Sequence, residues 1–270
     1  MDTLREQDLK RLKDKKQMIT LLNNEHWGTE EILTEMHNDN FYYGHLGQHA
    51  LSSSSLKTLL KSPKTYRNVL RYGQAESKAL IDGKLFHWLV LEPHKIDELH
   101  IVEASTKTTK LYKEAKAEYG EVYLRKELNE AERLADALLR NEAAIRLLNK
   151  AEFEVPAIGM LEGLPFRAKA DILRDDAIID LKTTQDLNAF RYSADKFGYD
   201  LQAWLYLKLF NKEKFTFLVV DKNSTDIGIY ETSAEFLKRG EDKFYQAISN
   251  YKHFFKEDND LDQYVLRGVL

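Results

Sequence analysis

The residues best able to do chemistry sit in two short runs. These are Ala168-Lys169-Ala170-Asp171-Ile172-Leu173 and Ile178-Ile179-Asp180-Leu181-Lys182-Thr183-Thr184, separated by Arg174-Asp175-Asp176. In an extended chain alternate side chains share a face, so Ile178, Asp180 and Lys182 project together while Ile179 and Leu181 project the other way. Pairing of the two runs across the turn brings Asp171 near Asp180. Close carboxylates repel unless a proton or a cation intervenes, and hard oxygen ligands favour Mg²⁺ or Mn²⁺. A divalent ion there polarises a phosphoryl oxygen and lowers the pKa of a bound water. Lys182 beside it would orient or deprotonate that water, or stabilise charge building on the phosphate. Those parts suit phosphodiester hydrolysis. The alternative is a surface hairpin whose Asp180 and Lys182 form a solvated pair worth about 0–1 kcal/mol. In a chain with 31% charged residues, the D-x-K spacing alone does not separate the two.

Three further spacings bear on the choice. Gly83 and His87 stand four apart on one face of a helix, and a mid-helix glycine costs about 1 kcal/mol relative to alanine, which hints at close approach by another backbone. His87 is then either a satisfied structural histidine or a residue that ligates or lines the metal site. Gln202 and Tyr206 repeat the spacing on the helix after the D-x-K strand. They either position a phosphate and hold Lys182, or comprise a core-facing tyrosine and a solvated glutamine. On the strand before Asp171, Glu152 and Glu154 share a face, and one of them is a candidate further ligand.

The elements that must position these residues follow from punctuation and period. Phe153–Val155, Phe166–Leu173 and Ala177–Thr183 read as β-strands in hairpin order, separated by Gly163-Leu164-Pro165 and by Arg174–Asp176. A helix is predicted at Asp200–Phe210, strands at Phe215–Val220 and Ile227–Glu231, and a long final helix opened by a capping box at Thr232-Ser233-Ala234-Glu235. Upstream, helical stripes run through Leu56, Leu59 and Leu60, from Ser62-Pro63 to Leu70, from Ser77 to Leu91, and over 129–149. Residues 37–49 read as loop and 104–126 as weakly periodic. The first sixteen residues hold six basic and four acidic side chains, so 1–35 is predicted as a charged arm or outer helix. Residues 36–270 then form a single domain, with a helical part at about 50–150, a catalytic sheet core at about 151–232 and a C-terminal helix at about 233–256.

Composition narrows the chemistry further. The 270 residues carry 40 Lys+Arg against 44 Asp+Glu and no cysteine. Disulfides, thiol nucleophiles, thiolate-held iron–sulfur clusters and cysteine-bound zinc are therefore excluded. Apolar runs fall short of the ~20 residues that span a bilayer, and no apolar signal core follows Met1, so a cytoplasmic protein without a membrane partner is expected.

Taken in order, GxxxH, Glu, Asp, D-x-K and QxxxY resemble the PD-(D/E)xK nuclease superfamily in its RecB-like branch, most of all the RecE exonuclease nuclease domain and its phage relatives. The phrases Leu51 to Lys57, Lys61 to Tyr66, Gly83 to Pro93 and Asp180 to Thr184 carry the likeness, which extends over about residues 36–255. It implies an α/β fold, a restriction-endonuclease-like core of central mixed sheet flanked by helices, here with a helical N-terminal extension. It also implies Asp171, Asp180 and the Leu181 carbonyl as metal ligands, Lys182 as catalytic lysine, and Gln202 and Tyr206 as motif residues of the catalytic centre. Some relatives add a histidine and a glutamate that fall on His87 and Glu152. Ala170 stands where the superfamily has proline, and Ser62 stands where some relatives place a cluster-binding cysteine, so no iron–sulfur cluster is expected. The implied activity is Mg²⁺-dependent digestion of double-stranded DNA from an end, 5′ to 3′. The 3′ single strand that remains would pass to an annealing partner of the RecT kind, and the enzyme would be a homo-oligomer, in many relatives a ring. Charge permits DNA: from Lys57 to Lys84 there are seven basic and two acidic residues. Ser53, Ser54, Lys57, Lys61, Lys64, Arg67 and Lys84 are the candidate DNA contacts.

Overall fold

The computed structural model describes residues 18–73, 77–257 and 259–267. Strands β1 (Met18–Thr20) and β2 (His26–Gly28) pair antiparallel and lead into α1 (Thr29–Glu35). Ile19, Leu21, Ile32 and Met36 are buried together with Tyr42, Leu46 and Ile158. Residues 18–35 are therefore packed against the main sheet rather than extended as an exposed arm, and residues 1–17 lie outside the described residues. The stretch expected as loop holds a wide helical turn at Asn40–His45 and a short α2 (Leu46–His49).

Helix α3 (Ser53–Lys61) opens on a capping box between Ser52 and Ser55, and α4 (Pro63–Tyr72) starts with proline in its first turn, where no amide hydrogen is needed. Helix α5 (Lys78–Leu91) is capped by Ser77. The weakly periodic segment folds as β3 (His100–Val102), α6 (Lys110–Tyr119) and β4 (Val122–Leu124). The helix expected over 129–149 is two, α7 (Arg125–Leu139) and α8 (Glu142–Leu148), because the Asn141 side chain accepts from Ala143 and Ala144 and restarts the helix.

The main sheet has the order β5-β6-β7-β8-β9. β5 (Glu152–Leu161) and β6 (Leu164–Leu173) are joined by Glu162-Gly163, whose positive φ values of 52° and 75° suit a tight hairpin. β7 (Ala177–Thr184) follows antiparallel. Helices α9 (Phe190–Lys196) and α10 (Tyr199–Phe210) then cross over so that β8 (Lys214–Asp221) pairs parallel to β7, with β9 (Ile227–Glu231) antiparallel at the edge. Helix α11 (Ala234–Tyr251) is capped by Ser233, one residue after the expected start of the box.

Both faces are covered, which is why the central strands read as nearly continuous apolar runs. On one face Leu85, Phe86, Leu134 and Leu138 of α5 and α7 meet Ile172, Ile179, Leu181 and Val220. On the other, Phe190, Ala203, Tyr206 and Leu207 of α9 and α10 meet Ala168, Ala170, Ile178 and Val219. Among the described residues no helix is long and apolar enough to cross a membrane.

Candidate active site

Ala170 and Ile172 are alternate positions of one strand, yet they join clusters on opposite faces of the sheet. The strand turns over at Asp171. Pairing of β6 with β7 is confined to Ile172↔Ile179 and Leu173↔Ile178, after which the strands part. The Asp171 carboxylate fills the opening: its Oδ2 accepts the Leu181 amide hydrogen at 2.8 Å, a bond that a neighbouring strand's carbonyl would otherwise take.

Across β6 from this gap, the β5 ladder runs Phe153↔Ile172 and then Val155↔Ala170. Glu154, opposite Asp171 in that register, has φ 52°. Left-handed backbone costs a non-glycine residue roughly 1–2 kcal/mol, and such strain concentrates at functional sites. His87, Glu154 and Asp171 each bring a ligand atom to within 4.8 Å of the others. Glu152, the candidate from the sequence, pairs with Leu173 at the strand end and is exposed; the carboxylate at the site is Glu154. Simple alternation put both on one face, and the local φ of Glu154 breaks it.

His87 reaches the gap from α5. Its Nε2 donates to the Leu181 carbonyl at 2.8 Å and its Nδ1 stands 3.7 Å from Asp171 Oδ2. No backbone explains Gly83, one turn earlier, since a methyl built there would meet nothing within 4 Å.

Asp180 is 1% exposed. Its Oδ1 accepts from Gln202 Nε2 at 2.6 Å, and Oδ2, sealed from water and without a well-directed hydrogen bond, faces the Lys182 ammonium. Gln202 therefore holds Asp180, not Lys182, and its own Oε1 accepts from Lys57 Nζ at 3.3 Å. Tyr206, expected to help hold Lys182, lies in the core against Phe210 and Phe215. The ring beside Lys182 belongs to Tyr199, with the Lys182 ammonium 5.2 Å and the Lys57 ammonium 5.3 Å from its centre. Nothing in the sequence pattern singled out Tyr199; it follows Gly198, whose φ of 62° lets the chain turn tightly into α10 against the Lys57 stem.

Charge at the site is strained in a way a cation relieves. Burial first, then the Asp171 charge, raises the Glu154 carboxyl to about 8. Burial also pushes the Asp180 carboxyl up against the opposing pull of Lys182. Burial disfavours charge on Lys182, but Asp180 and Asp171 outweigh it and hold the ammonium form. Lys57 is lowered to about 8 by burial and by the charge of Lys182. The donors fit a hard divalent ion. Carboxylates and a carbonyl suit Mg²⁺ or Mn²⁺.

The remaining candidate DNA contacts differ in exposure and in pairing. Ser53 is 6% exposed and faces the interior, a correction to its expected role, while Ser54 and Lys61 face solvent. Lys64 pairs with Asp262, and Lys84 pairs with Glu121 over the Trp88 ring. Arg67 Nε is buried without a partner among the described residues. Of that group, Lys57 is the one that reaches Gln202 and Tyr199 beside the gap.

Comparison with solved structures finds a “Putative exonuclease” from Eubacterium rectale. It aligns over 86% of this chain and 95% of that one at 17% identity with a TM-score of 0.61, which is a likeness of fold. A phage related exonuclease from Haemophilus somnus 129PT aligns over 78% and 96% at 13% identity, TM-score 0.35. An alkaline exonuclease from Laribacter hongkongensis aligns over 82% and 98% at 12% identity, TM-score 0.37. Comparison with curated proteins finds no match. The family model of the PDDEXK-like domain of unknown function, DUF3799, matches residues 52–262, a span that takes in the α3–α5 helices, the whole sheet and the gap between β6 and β7, and the chain belongs to that family.

Proposed function

We propose that the chain is a metal-dependent deoxyribonuclease that degrades double-stranded DNA from its ends. The observation that carries this reading is the meeting of Asp171, Glu154, His87 and the Leu181 carbonyl beside the Asp180–Lys182 pair, in a gap between two strands. Asp171, Asp180, Glu154, His87 and the Leu181 carbonyl are the residues that would hold the ion. Bound there, a divalent ion supplies Lewis acidity toward a phosphate oxygen and an acidified water.

The protein's own groups supply position and charge. Lys182, favoured as an ammonium by Asp180 and Asp171, stabilises negative charge on the phosphate. Gln202 fixes the orientation of Asp180 through Oδ1, and Lys57 fixes which way the Gln202 amide points. Absence of a base-reading motif in the sequence fits an enzyme indifferent to sequence. The 5′ to 3′ direction, a 3′ tail delivered to an annealing protein and assembly into a homo-oligomer rest on the resemblance to RecE-like enzymes.

Time-resolved digestion of end-labelled linear duplex, beside a covalently closed circle, tests the reading. Expected is loss of the linear DNA with Mg²⁺, none with chelator, and an intact circle. Linearisation of the circle would instead make the chain an endonuclease on the same fold. DNA ends bound but uncut under every metal would make it a non-cleaving end-binding protein.

A further inference from the structure

Helix α9 buries Phe190 and Ala194 against the sheet but leaves two large rings in water. Tyr192 is 65% exposed and Phe197, which caps the helix, is 52% exposed. Each ring carries a cation. The Arg191 guanidinium lies 4.8 Å from the centre of the Tyr192 ring and donates to its hydroxyl at 2.9 Å, and the Lys196 ammonium lies 5.6 Å from the Phe197 ring. Tyr192 and Lys196 are four apart on the helix, so the two pairs adjoin. Phe197 leads on, with ring centres 6.0 Å apart, to Tyr199, and Tyr199 carries the Lys182 and Lys57 ammonium groups. From exposed Phe197 the series runs through Tyr199 to the lysine of the D-x-K motif, with the Arg191–Tyr192 pair on the same helix beyond it. The one carboxylate on this helix, Asp195, is neutralised from α11 by Lys243 at 3.3 Å and Arg239 at 3.9 Å.

Rings alternating with cations match a polymer in which flat bases alternate with phosphates; stacking on exposed rings is tolerant of sequence, and cations beside them hold the backbone. A duplex keeps its bases stacked on one another, so these rings are of use to unpaired nucleotides. We propose that α9 and the turn into α10 form a stacking track for a single strand, holding the nucleotides that lead to or from the phosphate at Lys182. The inference rests on the nuclease reading for the identity of that phosphate.

The test uses the full chain in chelator, where no cleavage occurs, with fluorescein-labelled duplexes bearing a blunt end, a 3′ tail or a 5′ tail. The double variant Tyr192→Ala/Phe197→Ala is expected to weaken binding of one tailed duplex by about tenfold or more, with blunt-end affinity unchanged. The aromatic exchange Tyr192→Phe/Phe197→Tyr restores it. Tail binding that ignores the rings, or equal weakening for blunt and tailed DNA, overturns the track. So does a loss explained by a fall in oligomeric mass, which would make the patch a subunit contact. If the double variant fails to fold, ultraviolet cross-linking of a bromouracil-substituted tail to the unaltered chain decides: adducts at Tyr192 or Phe197 support the track, and adducts confined elsewhere overturn it. Cleavage by the unaltered chain in Mg²⁺ is measured in parallel. Ring-dependent tail binding without cleavage contradicts the nuclease reading alone, and cleavage with ring-independent binding contradicts the track alone.

Discussion

Two glutamates separated by one residue divide sharply in their surroundings. Glu154 is drawn into the gap with Asp171 and His87, while Glu152 is exposed at the strand end. Glu154→Gln is expected to weaken divalent-ion binding by about 10–100-fold or more, and Glu152→Gln to leave it unchanged; titration calorimetry with Mn²⁺ measures both. The same carboxyl gives a pH signature. Its pKa is about 8 in the folded chain against 4.5 as the ordinary value, so across that window the folded chain keeps a proton that the unfolded chain has released. The metal-free chain therefore loses stability as pH rises through that window. A bound divalent ion needs the ionised carboxylate and so removes the trend, expelling the proton. Melting temperatures from acid to mildly alkaline pH, with and without Mg²⁺, check the slope, and binding heats in buffers of different ionisation enthalpy check the proton. Equal slopes with and without the ion would contradict it.

At the scale of elements, two helical glycines, Gly83 and Gly240, behave oppositely. A methyl at Gly83 in α5 meets open space, so Gly83→Ala is expected to stabilise the chain by up to about 1 kcal/mol. A methyl at Gly240 in α11 would overlap the backbone carbonyl of Asp200, where the two helices touch, so Gly240→Ala is expected to cost about 1–3 kcal/mol. Denaturant midpoints measure both. The strands around the site were readable in part because their alternation and turn residues are local: β6 to β9 fall near the expected runs, while β5 continues to Leu161, well past Phe153–Val155, and Leu164 and Pro165 belong to β6 rather than to the break. Asp171 and His87 meet in the gap, and Gln202 reaches Asp180 rather than Lys182. What could not be read depends on contacts between elements. The strand reversal at Asp171 and the left-handed Glu154 arise from the parting of β6 and β7, which no local pattern records. Tyr206 matched its motif by spacing, yet its side chain serves the core and Tyr199 takes the place beside Lys182. The first strands and α1 escaped notice because their short apolar stretches acquire a period only against Ile158 of β5.

Across the whole molecule the formal charge is −4, so any hold on DNA comes from where the cations lie and not from their sum. Lys57 and Lys182 flank Tyr199 in the gap, whereas Lys64 and Lys84 are tied to the acidic partners Asp262 and Glu121. Duplex affinity is accordingly expected to fall steeply with salt, and Lys57→Ala to flatten that slope more than Lys64→Ala does, measured by fluorescence anisotropy at several ionic strengths. The match to the PDDEXK-like family over residues 52–262 spans the sheet, the helices on both faces and the gap. Cleavage of end-labelled linear duplex by Lys182→Ala and by the unaltered chain, at saturating DNA and Mg²⁺, is the measurement that bears most directly on this centre. The variant is expected to bind DNA as before and to cut it slower by about a hundredfold or more; equal rates would mean that bond breaking happens elsewhere in the molecule.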